Sequence, residues 1–403
     1  MKLSFISTAI LLSTLPTSLV FAAGLDRSGQ SISAFLQPGN YAEAGISVLD
    51  PTVKGKDLSS NSVSDMADDY YFANAAIKVQ ATEQISLGLI YDQPFGADAT
   101  YQLDGSNFSS STLNEGTQVE VKTQNLTALI GYQPTKNWNI YAGPVWQTVE
   151  ADIALRGRSY QSLSGYNIKV DQEEAYGWLA GAAYQIPEIA LKASLTYRSE
   201  VDYDINVRET NPGLSALALL GQNPATIANA QGKTSITTPQ SVNFDFQTGI
   251  MANTVAFANV RWVEWSNFSL QPNKFGLVSK AVGGLVGQPN GFTLVEYSDD
   301  QWSANVGVGR KLNDQWAGNI SVGWDSGAGN PVSTLGPTEG YWNTGFGIQY
   351  SPAANYFVAG GVKYFWLGDA KSQSGAQAGT NQFVADFQDN HAVAYGLKLG
   401  YRF

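Results

Sequence analysis

His391 is the only histidine in a chain of 403 residues that has no cysteine, and this removes most of the side chains that do covalent chemistry. A hydroxyl nucleophile needs an activating base and thiol chemistry needs a thiol. Catalytic triads, disulfides and His- or Cys-ligated metal centres are therefore disfavoured together. His391 reads as a rim residue of the last strand, and no cofactor or metal is called for. A carboxylate-only mechanism is the one enzymatic reading left open. What remains is binding chemistry. Lys192, Arg198 and Arg261, the last near Glu264, lie on polar faces of strand-like segments. They can meet an anionic ligand, because a charge taken out of water must be paired, or they can pair with neighbouring carboxylates. Leu214, Leu217, Leu219 and Leu220 cluster in an otherwise polar stretch, 211–232. Such an apolar patch is a binding surface or packs on another loop. The Pro212-Gly213 start followed by SALALL suggests a short helix there, and 275–285, with Phe275, Leu277, Val278, Val282 and Leu285, is a second apolar loop that can face it.

The elements that must position these residues are strands. Between Ile189 and Asn206 the odd positions carry Ile189, Leu191, Ala193, Leu195, Tyr197, Ser199, Val201, Tyr203 and Ile205, while the even ones are mostly polar. Read as one strand, the segment is about three times the usual length of ~5 to 6 residues, and its period of two gives one oily and one wet face. The same alternation recurs at 41–50, 70–80, 85–95, 117–132, 138–155, 170–185, 189–206, 239–250, 254–270, 300–311, 315–325, 340–350, 356–370 and 388–403. Short connections alternate with long ones, as periplasmic turns and extracellular loops do. On 315–325, Trp316 and Trp324 bracket Ile320 and Val322 on one face, opposite Asn319, Ser321 and Asp325. Aromatic rings at both ends of an aliphatic band suit two membrane interfaces. A soluble sandwich would instead pack its apolar faces on one another. The expected fold is all-β: a 14-stranded antiparallel transmembrane β-barrel with a short N-terminal plug segment.

Lys2 followed by the mostly apolar run Ile10 to Val20 reads as an export signal, and that run is too short to span a bilayer as a helix. The expected division is a signal peptide over 1–22, a short plug over 23–39 and the barrel over 40–403. The formal charge of −11 disfavours nucleic acid as a partner, and 12% aromatic residues with 41 glycines suit aromatic girdles and close strand packing.

Several stretches resemble one family, the FadL-type long-chain fatty acid and hydrocarbon transporters of bacterial outer membranes. They are Leu195-Thr196-Tyr197-Arg198-Ser199-Glu200-Val201, Trp265-Ser266-Asn267-Phe268, Asn313-Asp314-Gln315-Trp316 leading to Trp324-Asp325, Gly340-Tyr341-Trp342, and Tyr41 to Gly55 with Asp50-Pro51. The resemblance implies passive uptake of a hydrophobic small molecule, captured by extracellular loops and released sideways into outer membrane lipid at a kinked third strand, by a monomer. Pro94, Phe95 and Gly96 stand where that kink belongs, and proline or glycine within a strand marks an edge, bulge or bend. The alternative is that Pro94 merely ends the strand at an extracellular loop. The leucine-rich stretch 211–232 matches the ligand-catching loop in position, and Arg156 and Arg158 fall near a ligand-binding arginine of the family. The 23–39 segment is shorter than the family's plug and lacks its Asn-Pro-Ala motif. The alternative function is a general diffusion porin or a structural outer membrane barrel.

Overall fold

The computed structural model describes residues 25–403 except 211–216, 219, 222 and 286; the export signal read over 1–22 lies outside them. Fourteen strands form the wall: β1 Tyr41–Thr52, β2 Tyr70–Gln80, β3 Ile85–Asp92, β4 Gln118–Thr135, β5 Trp138–Ala154, β6 Asn167–Ile186, β7 Leu191–Arg198, β8 Ser241–Met251, β9 Thr254–Val263, β10 Gln301–Lys311, β11 Trp316–Asp325, β12 Tyr341–Ala353, β13 Tyr356–Leu367 and β14 His391–Arg402. Every wall pairing is antiparallel, and β14 closes the ring on β1, from Tyr41↔Arg402 to Thr52↔His391. A closed ring leaves no edge, so every strand can hydrogen-bond in a solvent that offers no partners.

The two faces divide by solvent. On β11, Trp316, Ile320, Val322 and Trp324 are exposed on the lipid face, whereas Ala317, Ser321, Gly323 and Asp325 are buried inside. Trp178, Trp302, Trp324, Trp342 and Trp366 ring the extracellular rim, and Tyr132, Trp138, Trp316, Tyr356 and Tyr401 ring the periplasmic one. Their amphipathic rings suit the headgroup level.

Besides the third strand, read over 85–95 but ending at Asp92, three strands end earlier than their alternation predicts. The predicted strand 189–206 divides at Ser199-Glu200: β7 stays in the wall, while Val201–Ile205 leaves it to pair with Thr234–Thr238. The oily face inverts at that point. Leu195 is exposed to lipid, but Val201, Tyr203 and Ile205 are buried. Beyond the membrane the outer solvent is water, so the same odd-numbered set must turn inward. The predicted 254–270 stops at Val263, before a 3-10 turn at Trp265–Asn267. The predicted 356–370 stops at Leu367, and Ala370–Gln373 joins a small sheet with Val332–Ser333, Ala385–Phe387, Gly55–Asp57 and Ser62–Val63.

The long connections thus fold into an extracellular cap with its own core, holding Tyr101, Phe108, Tyr160, Tyr166, Trp265, Phe275 and Phe292 among others. Among the described residues its helices include α1, Pro224–Ala228, and α2, Asn273–Gly283. The second apolar loop is therefore a helix: Phe275, Val278 and Val282 recur at helical spacing on its buried face. Of the SALALL stretch read as a short helix, Ser215, Ala216 and Leu219 lie outside the described residues, and Leu217 and Ala218 are helical.

Candidate functional site

Residues Leu25–Gly39 run inside the barrel. Lumen-facing side chains from five strands hold them. Asp26, paired with Arg261 of β9 at 2.6 Å, is fully buried with its partner. Arg261 also donates to Asn243 Oδ1 and Gln30 Oε1. Ser28 donates to Asp92 of β3 at 2.6 Å, Lys192 of β7 to the Leu36 carbonyl and Lys78 of β2 to the Gln37 carbonyl. Arg198 donates to the Gln30 carbonyl. Three of the cations singled out from sequence, Lys192, Arg198 and Arg261, are thus committed to this segment.

The segment also meets the break in β3. The β2–β3 ladder ends at Ala75↔Tyr91, although β2 continues to Tyr70. After Asp92 the chain turns inward through Gln93 and Pro94, and pairing with β4 resumes at Gly96↔Lys122. The Pro94 carbonyl accepts from Arg27 N–H at 2.6 Å, and Gly96 N–H donates to the Leu25 carbonyl at 2.8 Å. Phe95 is buried edge-on against Trp265, ring centroids 5.4 Å apart. The inner face of Gly96 is filled by Tyr70: a Cβ there would lie 2.0 Å from the Tyr70 hydroxyl.

A second feature lies in the cap. A largely apolar pocket of about 980 Å³, its open mouth included, is lined by Leu155, Tyr160, Leu163, Leu220, Phe275, Val282, Leu285, Phe292, Leu294 and Leu335 with a few hydroxyls and Gln161. Burial pushes the Tyr160 phenol up to about 12, so it stays a neutral donor, placed 3.0 Å from Thr334 Oγ1. No lysine, arginine or carboxylate is among the described lining residues. The same apolar core continues inward through Phe268, Tyr297 and Trp265 to Phe95.

Of the residues singled out from sequence, Leu220, Phe275, Val282 and Leu285 line this pocket. Leu217 is wholly buried in the cap core, Leu277 is partly exposed and outside the lining, and Leu214 and Leu219 fall outside the described residues. Arg156 is not in the lining. Its guanidinium is spent on Glu115 at 2.7 Å, Asn167 at 2.6 Å and the carbonyls of Leu155 and Tyr166. Arg158 points to solvent. Tyr160, Leu163 and Leu335 were not legible as pocket residues, because each stands between polar or small neighbours, and Phe292 lies beyond the apolar loop read over 275–285.

A closed fourteen-stranded barrel with an inward-broken third strand and an apolar pocket above it defines a class of outer membrane transport proteins. Residues 26–403 match the family model described as outer membrane protein transport protein (OMPP1/FadL/TodX), and the chain belongs to that family. Its members move hydrophobic compounds across the outer membrane, and the protein is an outer membrane β-barrel of this kind. Among solved structures, it is similar to a Pseudomonas aeruginosa FadL homologue at 14% identity and TM-score 0.68, with 96% of each chain covered. The P. putida toluene transporter TodX is 11% identical, TM-score 0.58, with 92% of this chain and 91% of that one covered. The Ralstonia pickettii toluene transporter TbuX is 12% identical, TM-score 0.56, with 91% and 90% covered. At such identities the likeness is one of fold. No curated protein matches the chain.

Proposed function

We propose that this barrel takes up neutral hydrophobic molecules, which enter the cap pocket, pass along the aromatic core and leave sideways into the membrane between β2 and β3. The observation that carries this reading is the ladder that stops at Ala75↔Tyr91 while β2 runs on to Tyr70. Each methylene that leaves water for lipid gains about 0.8 kcal/mol, so a sideways exit drives itself. The Leu25–Gly39 segment acts as the plug, and its bonds to Lys78, Lys192, Arg198 and Arg261 make an open diffusion channel the weaker reading. A neutral cargo is favoured over a carboxylate because the described pocket lining offers no cation to replace lost water.

The test is accumulation of radiolabelled naphthalene and 2-naphthoate by cells that lack their own outer membrane hydrocarbon and fatty acid transporters. The native chain should accelerate naphthalene uptake at least tenfold and naphthoate little. Leu220→Asp should abolish the gain, and Pro94→Val, which restores a ladder donor, should lower it severalfold. Naphthoate uptake equal to that of naphthalene would overturn the neutral cargo, and unchanged uptake in Pro94→Val would overturn the exit.

A further inference from the structure

The buried part of the cap pocket is largely apolar. Leu155, Leu163, Phe275 and Phe292 line it, each less than a tenth exposed, while Gln161 and Ser162 are exposed at its mouth. Three hydroxyls are buried among these walls, those of Tyr160, Ser374 and Thr334. A hydroxyl has one proton to give and two lone pairs to fill. Ser374 gives its proton to Gln377 Oε1 at 2.6 Å, and Tyr160 gives its proton to Thr334 Oγ1 at 3.0 Å. Thr334 Oγ1 is therefore the acceptor of that bond, and its own proton meets no acceptor among the described residues.

This hydroxyl is held in place from behind. The Thr334 N–H donates to the Gln373 carbonyl at 3.0 Å, and the Thr334 carbonyl accepts from Tyr101 Oη at 2.6 Å. Tyr101 stacks on Phe108 with ring centroids 4.6 Å apart, and Phe108 stands edge-on to Tyr160 at 6.2 Å. One aromatic stack thus fixes both the backbone of Thr334 and the phenol that donates to its side chain. Threonine is also stiff at χ1. A buried proton without an acceptor is costly, and ligand pockets use a small number of placed polar groups to orient a mostly apolar body. With no charged residue in the described lining, the group that meets this proton should itself be neutral.

We infer that the cap pocket selects hydrophobic molecules that carry one neutral oxygen, an alcohol, a phenol or a ketone, and that Thr334 is the residue that sets this preference by donating to that oxygen. The apolar body of the ligand lies against Phe275 and Phe292. Tyr160 is a positioning residue: by filling one lone pair of Thr334 Oγ1 it turns the free proton away from itself. The inference rests on the reading of the cap pocket as the entry site for neutral cargo, but binding to the purified barrel tests it without transport.

The first arm is equilibrium dialysis of 2-naphthol and 2-methylnaphthalene, which differ by a hydroxyl in place of a methyl, against the barrel in lipid nanodiscs. Empty nanodiscs supply the correction for partition into lipid. The native chain should bind 2-naphthol about tenfold more tightly than 2-methylnaphthalene. Equal corrected affinities would overturn the selectivity, and this comparison needs no variant. Thr334→Val, with folding checked by heat-modifiable migration, should weaken 2-naphthol severalfold and leave 2-methylnaphthalene unchanged, while Thr334→Ser should keep the preference. A parallel loss of both ligands in Thr334→Val, or no loss of either, would overturn the role of Thr334. The second arm is uptake by cells, in which the native chain should accelerate 2-naphthol more than 2-methylnaphthalene. Failure to take up either compound, with selective binding intact, would defeat the transport reading and leave the selectivity standing.

Discussion

Asp26 and Arg261 are each about 1% exposed, and they show what a lumen ion pair does here. Taking two charges out of water is repaid only when the remaining donors and acceptors are also used. Arg261 meets that condition by bonding Asn243, Ser241 and Gln30 as well. Removing one partner of such a pair costs about 3–5 kcal/mol, and here the loss falls on the plug. Asp26→Ala should therefore expose the buried Arg27 to trypsin in the folded barrel, with the native protein resistant at that bond. Arg156 teaches the converse. Its place near a ligand-binding arginine of the family suggested a ligand's carboxylate, yet Glu115, 41 residues away in sequence, and Asn167 claim it.

The loop between β11 and β12 carries a titration. Glu339 is pushed up to about 7, chiefly by burial and further by Asp325 and Asp299, against a hydrogen bond from Gly329 N–H. A carboxyl whose folded value is raised binds its proton more tightly folded than unfolded, so stability is greatest below the unfolded value and falls as pH rises toward the folded one. The opening free energy of this loop, measured by hydrogen exchange corrected for intrinsic rates, should decline between about pH 4.5 and 7 and then level off. Glu339→Gln should flatten that dependence. The wall strands behave differently, because their limits depend on partners. Alternation marked β2 at its observed limits and β10 and β11 to within a residue, yet 189–206 ran past Ser199 because the odd-numbered apolar set continues unbroken through the point where it inverts. Periodicity reports that one face is oily, not which solvent that face meets.

At the scale of the molecule, lipid outside and the enclosed Leu25–Gly39 segment inside give the two faces of the ring different neighbours. Ile320 is 64% exposed on the lipid face of β11, near the middle of the strand. Ile320→Arg should cost about 2–4 kcal/mol at the bilayer midplane, read as a lower urea midpoint for folding into vesicles. The same substitution at the exposed turn residue Asp314 should change the midpoint little.

The sequence by itself determined the barrel, its strand count and the two rims, because each follows from local rules: a period of two and turn residues. Pro94, with no N–H to give, marked an interruption but left a kink and a strand end as alternatives. Tertiary structure decided where the cap pocket lies, which cations are already claimed, and that Phe35 packs on Tyr141 and on the inner faces of Gly88 and Gly131. Those depend on loops and strands that are distant in sequence closing on one another. No periodicity records which of two buried groups will meet.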